Sequence, residues 1–145
     1  MRSEPLLPRD EELIEAARGV IARCFRPDRH HVGCALRSKS GHVYTAVNLE
    51  AYVGRVAVCA EPIAVGQAVA AGDADLDVIV GVLHRRDESD PVEFRACTPC
   101  GMCRELLHDY LPDGFVIMPV EGELRRVPVR ELLPERYDRE GGAPA

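Results

Sequence analysis

Three of the six cysteines in this 145-residue chain fall within seven residues, Cys97-Thr98-Pro99-Cys100-Gly101-Met102-Cys103. Packing does not explain such crowding, since Ala or Val would fill core positions as well as a small thiol. Pro99 narrows the fold further. Proline is tolerated at a helix start but not in a helix interior, so this segment belongs to a loop running into a helix. A second junction has the same character. Cys59-Ala60-Glu61-Pro62 stands at the front of a run rich in Ala, Val and Ile. Pro62 fits only a first turn, so that helix begins near Cys59 to Glu61.

The remaining pattern supplies a scaffold. Leu13, Ile14, Ala17, Val20, Ile21 and Cys24 recur at three- and four-residue steps, predicting a helix over 10–25. Residues 31–37 and 42–47 read as two strands joined by a turn at Ser40-Gly41. The second helix ends at Gly72. Leu76 to Leu83 is a continuous apolar run, as expected of a strand buried on both faces. Residues 84–96 read as a polar loop, and a third helix follows Pro99 to about Tyr110. Strands are expected at 115–120 and 124–129, a short helix at 129–133, and a frayed tail at 138–145. The order predicts a single α/β domain over 1–145, with its core in 10–137. It is a three-layer α/β/α arrangement around a mixed five-stranded sheet.

Helix starts favour thiolates, because first-turn amides are unpaired and the helix dipole is positive there. Two such starts facing each other present Cys59, Cys100 and Cys103 to one Zn²⁺ per chain. Three protein ligands leave a fourth position for water, as in catalytic zinc sites. Cys97-x-x-Cys100 also has ligand spacing, and a fourth sulfur would make a closed, structural site. Glu61 would then have no role. In the open site its carboxylate can move a proton from water to a substrate nitrogen. Cys24 and Cys34 read as small core residues. Asp73, Asp75 and Asp77 lack the Gly and terminal Glu of a calcium loop and read as a solvated turn.

Over residues 10–137 the chain resembles the cytidine deaminase family and the neighbouring blasticidin-S deaminases. Besides the two cysteine motifs, Asn48-Leu49-Glu50 is similar to the family's sugar-holding Asn-x-Glu segment. Val32-Gly33-Cys34-Ala35-Leu36 is similar to the strand beside the pocket. Glu131-Leu132-Leu133-Pro134-Glu135-Arg136-Tyr137 is similar to the closing segment, whose aromatic ring lies over a neighbouring subunit's site. The resemblance implies that Asn48 and Glu50 contact a sugar hydroxyl, the Ala60 backbone contacts the base, and Tyr137 covers a site. Its Phe before the first strand is replaced by His30-His31, and His30 is the expected substrate contact. Pro62 stands where the family often has Arg, so Arg104 or Arg55 is expected to offset the sulfur charge. Residues 51–57 depart from the family's usual sugar-pocket sequence.

The implied reaction is hydrolytic removal of the 4-amino group of a cytosine nucleoside, such as cytidine, deoxycytidine or a peptidyl nucleoside antibiotic like blasticidin S. Deamination of another amino-heterocycle, such as an aminopurine, or a non-catalytic zinc staple are the alternatives. The resemblance also implies a homo-oligomer, a tetramer or dimer. With 18 basic against 24 acidic residues, a net −6, the chain is unsuited to a phosphate backbone, so nucleic acid is not expected as a partner. No apolar run is long enough to span a membrane. Met1 to Asp10 has no signal-peptide core, which predicts a cytoplasmic protein.

Overall fold

The computed structural model describes residues 1–137 and Arg139. The tail expected to fray, 138–145, otherwise lies outside the described residues. Helix α1 (Pro8–Cys24) starts at Pro8 rather than at residue 10. Pro8 takes the first helical position, where a missing N–H costs nothing. Asp10, two residues on, accepts the Leu7 N–H at 2.9 Å and secures the start.

Six strands form one sheet, one more than the sequence predicts. They are β1 (Val32–Ser38), β2 (Val43–Val47), β3 (Leu76–His84), β4 (Phe94–Cys97), β5 (Phe115–Val120) and β6 (Glu123–Pro128). The order is β2-β1-β3-β5-β6, with β4 also paired to β3. Among the described residues only β3 and β5 run parallel, so the sheet is mixed. The unexpected strand, β4, lies inside the segment read as a loop. Its signal is short: Phe94 and Ala96 alternate with Arg95 and Cys97, next to a strongly charged stretch.

Strand β3 organises the molecule. One edge pairs with β1 along its length. The other edge is divided: residues 78–80 pair with β5, and residues 81–84 pair with β4. The chain leaves β4 at Cys97, beside this fork, and enters α3 (Gly101–Tyr110).

Helices cover both faces, giving the three layers expected. Leu13, Ile14 and Ala17 of α1 pack with Ala35, Val78, Val80, Val82 and Ile117. On the opposite face α2 (Ala60–Ala70) and α3 pack with Cys34, Leu36, Ile79, Val116 and Met118. Each large apolar side chain so buried contributes roughly 1.5–3 kcal/mol. Gly33 lets α1 approach closely, since a Cβ there would stand 2.4 Å from the Ala17 carbonyl oxygen. Asp73, Asp75 and Asp77 are engaged by the protein: Asp73 accepts from Ser38, Ser40 and Tyr44, while Asp75 pairs with Lys39 and Asp77 with Arg37. Among the described residues, no helix is long and apolar enough to cross a membrane.

Candidate active site

The N-caps of α2 and α3 are both cysteines, Cys59 and Cys100. Each helix stops there because the preceding backbone is extended. The two caps face each other, with sulfurs 3.6 Å apart. Cys103, buried one turn into α3, completes a cluster whose three sulfurs lie within 4.8 Å of one another. Two thiolates about 2.3 Å from one tetrahedral Zn²⁺ stand about 3.8 Å apart. The cluster therefore has the donor chemistry and spacing of a three-sulfur zinc site. Cys97 is not part of it, so this sulfur does not close the site.

The thiols differ in acidity. Burial and the neighbouring Cys100 push the Cys59 thiol up, and burial with the Glu61 charge pushes Cys103 up. Burial also opposes ionisation of Cys100, but the Cys103 and Met102 amides at the start of α3, with the neighbouring thiols, bring it below the ordinary value. Three thiolates around Zn²⁺ leave one net negative charge. The helix starts face it. Arg104 is bound to the carbonyls of Pro99, at 3.0 Å, and Leu132, at 3.4 Å, so it ties the Cys100 loop to the C-terminal turn. Arg55 is exposed on the 3-10 turn Gly54–Val56.

A cavity of about 220 Å³ opens beside the cluster. Cys59, Ala60, Glu61 and Cys100 form one wall, Asn48, Leu49 and Glu50 another, and Cys97 and Thr98 the side toward β4. Glu61, in the first turn of α2, is only 6% exposed. None of the side-chain hydrogen bonds among the described residues involves it, so its carboxylate is left to the cavity.

Asn48 is buried and largely committed to the protein. Its Oδ1 accepts the N–H groups of both His31 and Val32 at 2.8 Å. Its amide nitrogen lies 3.5 Å from Glu50 Oε1, which keeps one donor near the cavity. His30 is not in the cavity wall. Its Nδ1 bonds the Asn48 carbonyl at 2.8 Å, and His31 lines the cavity instead. Even-numbered side chains of β1 face this side, which favours His30 on alternation. The strand begins only at Val32, however, and Asn48 fixes the two amides at that point, so alternation does not carry back to residue 30. Tyr137 is 78% exposed and also outside the wall.

Two residues take positions that the sequence motifs do not indicate. Cys97 lines the cavity because β4 exists. Arg86, from the long β3–β4 connection, places a guanidinium nitrogen 3.2 Å from His31 Nε2. Burial, then Arg86, lowers the His31 pKa, against the opposing pull of Glu50.

Residues 7–118 match the cytidine and deoxycytidylate deaminase zinc-binding region. The chain belongs to this deaminase family. It is 44% identical to a blasticidin-S deaminase of Bacillus cereus over 139 residues, 96% of this chain and 99% of that protein. It is 28% identical to a probable cytidine deaminase of Dictyostelium discoideum, over 90% of this chain and 84% of that one. The fold superposes on a cytidine deaminase of Burkholderia pseudomallei with a TM-score of 0.70 and 28% identity, covering 88% of this chain and 98% of that one. A Bacillus anthracis cytidine deaminase gives 0.75 at 20% identity, covering 89% of both chains, and speaks for the fold alone. This deaminase is thus a zinc-dependent aminohydrolase whose three-cysteine cluster suits one zinc.

Proposed function

We propose that this deaminase converts a cytosine nucleoside to its uracil counterpart and ammonia, with nucleosides of the blasticidin-S type ahead of cytidine. The observation carrying this reading is the 44% identity to a blasticidin-S deaminase across nearly the full length of both chains. The geometry supports the chemistry, with an open three-sulfur site beside a buried, unpartnered carboxylate.

Cys59, Cys100 and Cys103 hold the zinc. Bound there, Zn²⁺ supplies the Lewis acidity that makes water a nucleophile at neutral pH. Glu61 takes the proton released as water attacks C4 of the ring. It passes that proton to ring N3, then takes the proton of the hydroxyl added at C4 and hands it to the amino group, which leaves as ammonia as the C4 carbonyl forms. The Ala60 backbone positions the base. Glu50 accepts from a sugar hydroxyl, and the Asn48 amide nitrogen, 3.5 Å from Glu50 Oε1 and 3.4 Å from His31 Nδ1, turns a donor to the sugar beside it. His31 takes the wall position expected of His30.

The deaminase acts as a homo-oligomer in which Tyr137 covers a neighbouring subunit's site. Exposed Leu49, Tyr52, Val53, Val56 and Val58 along the rim support burial by a second copy. Light scattering on the purified chain measures the assembly directly.

The test is an ammonia-release screen over cytidine, deoxycytidine, cytosine, blasticidin-type nucleosides and aminopurines. Release from blasticidin-type nucleosides with the highest kcat/KM is expected. Silence on every cytosine nucleoside overturns the proposal.

A further inference from the structure

Beneath the first turn of α2, one row of residues crosses four strands. Ala46 of β2 pairs with Cys34 of β1, Cys34 with Gly81 of β3, and Gly81 with Cys97 of β4. Residues paired across antiparallel strands present their side chains to the same face. Here that face lies under α2: Ala46 and Cys34 are buried in its apolar core, and Cys97 lines the cavity with Glu61. Every member of the row is small.

Gly81 has no positive φ, so its backbone does not require glycine. The space does. A Cβ at Gly81 would stand 3.1 Å from Cys97 Sγ and 3.8 Å from Glu61 Oε1. The first distance is tighter than an ordinary non-bonded contact of about 3.5–4.0 Å. The thiol therefore crowds the space a methyl group at Gly81 would enter, and the Glu61 carboxylate borders the same space. Because no side-chain hydrogen bond among the described residues holds that carboxylate, its aim depends on the helix that carries it and on what it packs against.

We infer that Cys97 is a positioning residue for Glu61. Its thiol borders the space that Gly81 leaves free beside the Glu61 carboxylate, and the two residues form the floor that fixes where the carboxylate points. This rests on the deaminase reading, in which Glu61 carries the proton.

The zinc-loaded full chain provides the test. Gly81→Ala should lower kcat by roughly tenfold to a hundredfold, the scale of a misplacement of about 1 Å. KM should stay near the parent value, with zinc content unchanged. Adding Cys97→Ala to Gly81→Ala should restore much of the lost kcat, because shortening that side chain makes room again. Crystal structures should show the Glu61 carboxylate displaced in Gly81→Ala and returned in the double variant.

An unchanged kcat in Gly81→Ala, losses that simply multiply, or a carboxylate that does not move would each overturn the inference. If Gly81→Ala does not fold, Cys97→Leu and Cys97→Ser decide the matter over the native Gly81. The larger side chain should cost about tenfold more kcat than the isosteric one, and equal losses overturn the inference. Should the chain deaminate no cytosine nucleoside, the crystallographic comparison still judges the floor separately from the proposed reaction.

Discussion

Replacing the Glu61 carboxylate by an amide keeps its size and removes its capacity to carry a proton. Glu61→Gln should therefore lower kcat by about 10²–10⁴-fold, while metal analysis still finds zinc bound. Glu50 is a different case. Its side chain is more open to solvent, and its polar contacts among the described residues are with Asn48 and His31. Glu50→Ala should raise KM for a nucleoside far more than it lowers kcat, as expected on losing uniform binding. Unaltered steady-state kinetics would remove Glu50 from the sugar site. The cysteine motifs are legible from sequence because three thiols at helix starts have few other uses, and the helix caps place them together. The histidine pair is not legible. Which ring enters the cavity depends on where β1 begins, and that is set by the two amides that Asn48 captures from another strand.

The docking of α1 depends on charges that lie wholly inside. Asp10 is fully buried, with Arg37 at 2.8 Å and Arg126 at 2.9 Å, and Arg37 also reaches Asp77 at 3.2 Å. Arg126 further stacks its guanidinium 4.3 Å from the Phe115 ring centre. Removing the carboxylate takes from buried Arg126 the carboxylate it pairs with and leaves Arg37 with Asp77. Asp10→Asn should destabilise the fold by about 3–5 kcal/mol in urea unfolding. Burial alone would raise the Asp10 pKa, but Arg37, the Leu7 amide and Arg126 outweigh it and hold the carboxyl below the ordinary carboxylate value. The stability owed to this charge is complete above the unfolded value and is lost as pH falls through the lower folded one. Unfolding free energies below about pH 4 should thus fall more steeply in the parent than in Asp10→Asn, where the other carboxyls held low, such as Asp73 and Glu131, still titrate. At this scale periodicity recovers the helices and five strands. It misses β4 because four residues beside a charged stretch carry little pattern, and their pairing is decided by the free half of a β3 edge that sequence does not display.

Taken whole, the molecule joins two helices through sulfur. α2 and α3 arrive from separate parts of the chain, and their starts meet at the Cys59–Cys100 approach. A metal held there stabilises the folded state by mass action, about 4 kcal/mol when free zinc exceeds its Kd a thousandfold. Chelation should lower Tm and abolish ammonia release, and added Zn²⁺ should restore both. Amide exchange should quicken in the first turns of α2 and α3 while β1 and β3 stay protected. A Tm indifferent to chelation would place the metal elsewhere. The divided edge of β3 has an evolutionary corollary. Four ladder pairs, Gly81–Cys97 through His84–Phe94, fix the chain just before it turns toward Cys100. Residues 85–93 lie beyond that clamp. Insertions and deletions there would alter what holds Arg86 beside the His31 ring while the β4 pairing keeps Cys97 and the turn toward Cys100 in place.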